Sequence, residues 1–175
     1  MKDALFEYPS YIWGGIYRRD LLERVRFPEK FWYEDMITRM LVYRQSKVFV
    51  DIGENLYFKL SHATNASKVV WNDREYKCIE QLYLPEALIL NSQKLGLDVD
   101  VYAYECLLLE YSAMLYKRTK RLPEEVKKQV FLYARNTLMK LYRLEFDPMM
   151  NQKWKKWHEL FSEKKYDAWK ALGSI

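Results

Sequence analysis

The chain has 175 residues, of which 50% are hydrophobic and 17% aromatic, and 29 Lys and Arg residues against 24 Asp and Glu residues give a net charge of +5. This composition excludes a disordered chain and supplies enough apolar side chains for one real core. No stretch reaches the roughly 18 uninterrupted apolar residues of a membrane span, and the first residues lack the apolar segment of a secretion signal. Cys78 and Cys106 have no metal-type or secreted-domain spacing, so we predict a cytoplasmic protein.

The first predicted elements are a turn and two short helices. Residues 11–25 read YIWGGIYRRDLLERV, which indicates an aromatic turn at the two glycines and then a helix with Asp20 as its cap. Pro28 ends this helix, because the residue before a proline is disfavoured in helical geometry. A second helix is predicted to begin at Glu34, since apolar residues recur from there at helical spacing, at Ile37, Met40 and Leu41.

Two short strands are predicted next. Residues 47–52 read KVFVDI, in which apolar side chains alternate in the manner of a half-buried strand. Residues 55–60 read NLYFKL and favour a second strand. Residues 1–70 are therefore predicted to mix short helices with two strands.

Residues 71–175 are predicted to form an antiparallel helical bundle, because their helices are joined by short connections. One helix ends at Gly96, a residue suited to the left-handed position after a helix, and the next is capped by Asp98 or Asp100. A third helix opens at Pro123, and a fourth segment, rich in Trp and Lys, runs nearly to the C-terminus. The apolar seams of the first two helices are Ile79, Leu82, Tyr83 and Leu90, and Val101, Tyr104, Leu108, Tyr111 and Leu115. The predicted fold class is mainly α.

The order of motifs in residues 9–70 carries a family resemblance. The chain reads WGGIYRRDLL, then RFPE, then YED at a helix start, then VFVDI and ENLYFKLSHATNASK. This order resembles the C-terminal, acceptor-side part of the catalytic domain of family 2 inverting glycosyltransferases, which have the GT-A fold. The resemblance implies that residues 1–70 are a partial GT-A α/β segment and that residues 71–175 are a helical extension. It also implies transfer of a sugar from a nucleotide-sugar donor to a saccharide or lipid-linked acceptor, in the biosynthesis of a surface or secreted polysaccharide.

The acid pair Glu34 and Asp35 is the candidate catalytic motif. By the resemblance, Asp35 is the general base that deprotonates the acceptor hydroxyl, and Glu34 orients the acceptor or the preceding loop. A single displacement needs a carboxylate within hydrogen-bond reach of the nucleophile, and a helix N-terminus favours the ionised form. The alternative is that both acids only cap the helix.

Aromatic residues near the acid pair are the candidate acceptor-binding residues. Trp32 and Tyr33 precede the acids directly and offer faces on which a sugar ring could stack. The resemblance adds Trp13 and Tyr17 as walls of the acceptor side, although aromatic residues at such spacing are more often core. Gly15 departs from the family pattern, in which many members have Lys or another polar residue.

The candidate metal and donor residues lie in SHATNASK. The resemblance implies that His62 helps to bind the divalent metal, Mn or Mg, which neutralises the diphosphate, while Asn65, Ser67 and Lys68 belong to a loop near the leaving group. The alternative for His62 is an ordinary solvated loop residue.

A nucleotide-binding half of the GT-A type is missing from these 175 residues. The family has alternating strands and helices that end in an Asp-x-Asp metal motif before the acid pair. Asp98-Val99-Asp100 matches in letters but follows the acid pair, where acids after Gly96 serve as caps. We therefore expect a fragment that is inactive alone, that binds no cofactor alone, and whose uncovered apolar surface favours self-association.

The last segment leaves two interpretations open. Met150, Trp154, Trp157 and Phe161 share one helical face, with lysines around it. Such a face either closes the bundle or lies on a membrane surface, which would place the protein on the inner face of the membrane. A non-catalytic helical interaction module and a membrane-surface module are therefore the alternatives to the transferase. Basic residues show no base-stacking pattern, so a nucleic-acid partner is not predicted.

Overall fold

The structure, a computed structural model, describes residue 8, residues 10–65 and residues 75–173. Within these ranges helices dominate and no strand is formed, which confirms the prediction of a mainly α protein. The helices are α1 (Arg19–Leu22), α2 (Tyr43–Gln45), α3 (Glu80–Ser92), α4 (Val101–Leu109), α5 (Leu115–Thr119), α6 (Glu124–Leu141), α7 (Gln152–Ser162) and α8 (Tyr166–Gly173). Two π turns, Thr38–Val42 and Glu110–Met114, lead into α2 and α5.

Local signals place several helix ends where they were predicted. Gly96 follows α3 with a left-handed φ of 73°, a conformation that glycine adopts without steric cost. Asp100, and not Asp98, is the cap of α4, since its carboxylate accepts a hydrogen bond from the backbone N–H of Ala103 at 2.9 Å. Asp20 does not cap α1 but lies in its first turn, where it pairs with Arg18 at 2.8 Å.

The hydrophobic core contains residues from both parts of the chain. Ile37 and Met40 from the first part are buried in the same apolar cluster as Leu108 and Phe131 from the bundle. The predicted boundary near residue 70 remains a prediction, but helix 36–45 packs with the bundle. The Tyr83 and Leu90 side chains of the predicted α3 seam are instead exposed, at 43% and 40%.

Trp169 of α8 stabilises a kink in the bundle. Ser112 has non-helical backbone angles inside the π turn Glu110–Met114, which interrupts the regular ladder of backbone hydrogen bonds. The indole Nε1–H of Trp169 donates to the carbonyl oxygen of Tyr111 at 2.9 Å and to that of Ser112 at 3.2 Å. Buried carbonyl groups need hydrogen-bond donors, and this fully buried indole supplies the donor for the two carbonyl groups of the irregular turn.

The fourth predicted segment contains two helices, α7 and α8. The chain breaks at Lys164, whose φ is 56°, and α8 then folds back so that Trp169 enters the core. The predicted face is turned toward the bundle: Trp154 and Phe161 of α7 are buried, as is Met150 just before this helix, and Trp157 is half-buried. The bundle-closing interpretation of this face is therefore the one that the structure shows.

The two predicted strands are not formed in the described residues. Residues 47–52 and 55–60 are irregular, and Val48 and Val50 are 77% and 74% exposed. Apolar alternation gives a segment the propensity for a strand, but a strand forms only when a neighbouring strand accepts its backbone hydrogen bonds. The described part of the chain offers these segments no such neighbour.

Candidate functional site

The acid pair lies at the start of helix 36–45, close to its predicted position. The backbone N–H of Met36 donates to the carbonyl oxygen of Tyr33 at 3.0 Å, so the chain turns into the helix directly at the acids. Glu34 is exposed, whereas Asp35 is half-buried. Tyr33 has a φ of 66°, an uncommon value for an aromatic residue, which indicates backbone strain immediately before the acids.

Asp35 belongs to a cluster of two carboxylates and two guanidinium groups. Glu110 lies 3.6 Å from a guanidinium nitrogen of Arg39 and 3.6 Å from one of Arg118. These three side chains are at most 16% exposed. The charges of both arginines also act on the Asp35 carboxyl. Residues that are far apart in the sequence thus converge on the predicted base.

Opposing influences set the protonation of both acids. Burial raises the pKa of Asp35, while the charges of Arg118 and Arg39 and backbone hydrogen bonds from Asp35 and Met36 oppose this rise. Burial likewise raises the pKa of Glu110, against the two arginines and a hydrogen bond from Gln81. The negative charge of Asp35 adds to the raised pKa of Glu110. The two carboxylates therefore share the same two cations.

Tyr33 and Trp32 form the aromatic side of this cluster. The guanidinium carbon of Arg118 lies 3.9 Å from the centre of the Tyr33 ring, a cation–π contact. Burial raises the pKa of Tyr33 to about 12, and its hydroxyl has no hydrogen-bond partner among the described residues. The Trp32 ring meets the Tyr33 ring edge-on at 6.5 Å, and the Trp32 backbone N–H donates to Glu80 at 2.7 Å. Both rings are half-buried.

Trp13 and Tyr17 lie in a separate aromatic group. Trp13 stacks on Tyr11 at 4.2 Å and on Tyr57 at 5.1 Å, and the Lys59 ammonium lies 5.0 Å from the Trp13 ring. The Tyr17 hydroxyl donates to the carbonyl oxygen of Tyr11 at 3.3 Å. Trp13 is 38% exposed, so it is not a core residue. Its predicted role in acceptor binding stays a prediction.

The predicted metal and donor loop is only partly described. His62 is exposed, and its Nδ1 atom lies 2.8 Å from the Thr64 hydroxyl. The Asn65 amide donates to the carbonyl oxygen of Leu60 at 3.1 Å, which is a loop contact. Ser67 and Lys68 lie outside the described residues. In the ranges that the structure describes, no three His, Cys, Asp or Glu side chains form a group that could hold a metal ion.

The charged side chains around Asp35 were not predicted from the sequence. Glu110 is one of two buried acids, with Glu105, in a nearly continuous apolar run, VYAYECLLLEYSAML, and a buried acid in such a run signals a buried partner. Arg39 similarly interrupts the apolar face of helix 36–45. Neither signal reveals which residue lies opposite, because that depends on how the helices pack.

A second missed polar group joins α4 to α7. The Tyr104 hydroxyl and the His158 Nδ1 atom are 2.7 Å apart, and the His158 ring stacks on Tyr142 at 4.3 Å. The Tyr142 hydroxyl donates to Asp147 at 2.7 Å. Burial lowers the pKa of His158, against the opposing charges of Asp147 and Glu159.

Comparison with protein-family models, with curated proteins and with solved structures gave no match. None of the described helices has the length and apolar character needed to cross a bilayer.

Proposed function

We propose that the chain is the acceptor-side part of an inverting glycosyltransferase of family 2 with the GT-A fold, and that Asp35 is its general base. One observation carries the proposal: Asp35 is half-buried at a helix start, under the charges of Arg118 and Arg39, and follows the half-buried rings of Trp32 and Tyr33 in the chain. A general base needs partial desolvation so that it accepts a proton readily, and nearby cations keep it ionised until then.

The proposed reaction is a single displacement. The Asp35 carboxylate takes the proton of an acceptor hydroxyl while its oxygen forms a bond to the anomeric carbon of the donor sugar. The bond from that carbon to the nucleotide diphosphate breaks, and the diphosphate leaves with the electron pair. Trp32 and Tyr33 would limit access of water and stack on the acceptor ring, and Glu34, which is exposed, would hydrogen-bond the acceptor.

The divalent metal implied by the resemblance does not fit the described residues as a complete site. His62 is exposed and contacts Thr64, and the described ranges bring no metal-binding group of three acids, cysteines or histidines together around it. No step above passes through a metal, and Mn or Mg binding by the full-length enzyme stays a prediction.

The exposed segments 47–52 and 55–60 support the same proposal. Their apolar side chains, such as Val48, Val50 and Phe58, are more than 70% exposed, which a soluble protein ordinarily avoids in a contiguous segment. In the proposed enzyme these segments are the two strands that join the sheet of a nucleotide-binding half.

The test is made in the full-length enzyme, on polysaccharide-forming activity with its nucleotide-sugar donor. Asp35→Asn is expected to lower the turnover by about 10²–10⁴, since a general base acts on the chemical step, while binding of the donor stays nearly unchanged. Asp20→Asn, which changes an exposed acid of α1, is the matched control and should retain activity. Turnover of Asp35→Asn at the level of the control would refute the assignment.

The second candidate is a non-catalytic helical interaction module. It is favoured by the position of Asp35 at a helix start, where backbone N–H groups of Asp35 and Met36 act on its carboxyl and a negative charge suits the helix dipole. Under this candidate Asp35→Asn would destabilise the helix start and no nucleotide-sugar transfer would be found in the full-length protein. Membrane contact through the Trp face of α7 would require that face to leave the bundle, because Trp154 and Phe161 are buried.

A further inference from the structure

Three exposed aromatic rings stack on one another in the first part of the chain. The Trp13 ring stacks on the Tyr11 ring, with ring centres 4.2 Å apart and planes tilted by 11°, and on the Tyr57 ring at 5.1 Å and 23°. The side chains of Tyr11, Trp13 and Tyr57 are 37%, 38% and 54% exposed. Single exposed apolar residues are normal on a protein, but a contiguous aromatic group in contact with water is typical of a binding surface.

The ammonium group of Lys59 completes this group, which we call the Trp13 surface and which consists of Tyr11, Trp13, Tyr57 and Lys59. The Lys59 Nζ atom lies 5.0 Å from the centre of the Trp13 ring and 5.3 Å from that of the Tyr11 ring, which is cation–π distance. Lys59 is exposed, and among the described residues no carboxylate pairs with its ammonium group. The Trp13 surface therefore combines flat apolar rings with one positive charge that a ligand can reach.

The turn after Trp13 is built to hold its ring in this stack. Gly14 has a φ of 80°, a conformation that glycine adopts without steric cost. A Cβ atom on Gly15 would lie 2.8 Å from the Tyr17 ring, so a larger residue would displace that ring, whose hydroxyl donates to the carbonyl oxygen of Tyr11. Gly15 is also the position at which the chain departs from the glycosyltransferase pattern. The Trp13 surface is therefore a feature of this chain that the family resemblance does not supply.

The chemistry of the Trp13 surface fits an acidic saccharide. The face of an aromatic ring carries partial negative charge, and it packs favourably against the C–H groups on the face of a sugar ring. The Lys59 ammonium beside the rings can pair with a carboxylate on such a sugar. A single-stranded nucleic acid would instead need a groove of several cations that follows its phosphates, whereas the Trp13 surface has one.

We propose that the Trp13 surface binds a saccharide chain that carries carboxylate groups, with the aromatic rings against the sugar rings and Lys59 against a carboxylate. The inference goes beyond the proposed transfer reaction and does not depend on it, because Asp35 is not part of this surface. Pairing of residues 55–60 with a strand of a nucleotide-binding half would use backbone groups and leave these side chains in place.

The test is an NMR titration of the 175-residue chain with an oligosaccharide of galacturonic acid, and with its methyl ester as the neutral counterpart. The indole N–H signal of Trp13, assigned as the signal that is lost in Trp13→Phe, reports on the site directly. We expect the acidic oligosaccharide to shift this signal and to bind about threefold to fivefold more tightly than the ester at low salt, because the ester has no charge for Lys59.

Matched variants test the charge and the rings separately. Lys59→Gln should weaken binding of the acidic oligosaccharide about threefold to fivefold and leave binding of the ester unchanged, whereas Lys156→Gln, at an exposed lysine of α7, should alter neither. Tyr57→Ala should weaken binding of both ligands by at least about fivefold, because it removes one ring of the stack. Tyr83→Ala, at an exposed tyrosine of α3, is its control and should leave both affinities unchanged.

Several outcomes would overturn the inference. These are no binding of the acidic oligosaccharide at millimolar concentration, equal affinity for the acid and its ester, or affinities of Lys59→Gln and Tyr57→Ala that equal those of their controls. Tighter binding of a single-stranded DNA of equal charge would also overturn it and would assign the surface to nucleic acid. None of these results bears on Asp35, whose role is measured by transfer in the full-length enzyme, so failure of this inference and failure of the proposed function are distinguishable.

Discussion

Trp169 is the residue whose truncation should destabilise the bundle most clearly. Its side chain is fully buried, and its indole meets the Tyr116 ring edge-on with the ring centres 5.1 Å apart. Its Nε1–H donates to the carbonyl oxygens of Tyr111 and Ser112. Replacing a buried Trp by Ala costs about 3–5 kcal/mol from lost burial and the cavity left behind. The whole stability of a domain is about 5–15 kcal/mol, so Trp169→Ala should remove a large part of it.

Trp169→Phe separates the hydrogen bond from the burial. Phe keeps an aromatic ring but leaves the two carbonyl groups of the kinked turn without their donor, which costs about 1–3 kcal/mol. Urea unfolding followed by circular dichroism measures the free energy of unfolding of both variants. Leu172→Ala, on the same helix but 47% exposed, is the control and should change it by less than about 0.5 kcal/mol. If Trp169→Ala cost no more than Leu172→Ala, the described packing of α8 on the kink would be wrong.

Two further predictions concern α8 and α7. Gly173→Ala would place a methyl group 2.5 Å from the Cβ atom of Tyr116, so we expect a loss of about 1–3 kcal/mol in the same urea assay, and an unchanged midpoint would contradict the contact. Because burial lowers the pKa of His158 below its ordinary 6.5, the unfolded chain binds this proton more tightly, and the stability that depends on His158 should fall as the pH drops below about 6.5. His158→Gln should remove that part of the pH dependence between pH 7.5 and 5.5, and identical slopes for both proteins would refute it.

Helix ends could be predicted from the sequence because their signals act over a few residues. Gly96 ends α3 since a residue without a Cβ atom adopts the left-handed φ at little cost, and Asp100 caps α4 through a backbone N–H three residues on. The helix start at the acid pair is equally local. Asp35 could therefore be singled out before any tertiary contact was known.

The partners of Asp35 could not be predicted in the same way. Arg118 and Glu110 approach the acid pair only because the bundle packs against helix 36–45, and no local pattern encodes that approach. A buried acid in an apolar run indicates that a cation lies nearby but does not say which one. Which charged side chains lie around the acid pair is thus decided by tertiary packing.

The sequence by itself determined that this chain is mainly helical and that an acid pair follows an aromatic cluster. It also determined the position of the connection between α3 and α4. Tertiary structure decided the rest. Residues 47–60 have the alternation of strands but remain unpaired in the described part, because a strand depends on a neighbour that its own sequence does not supply. Trp169 lies in the core because the chain reverses at Lys164, and that reversal places its N–H against the kinked turn. Periodicity predicts which side of a helix is apolar, whereas the surface that covers it is decided only when the helices pack.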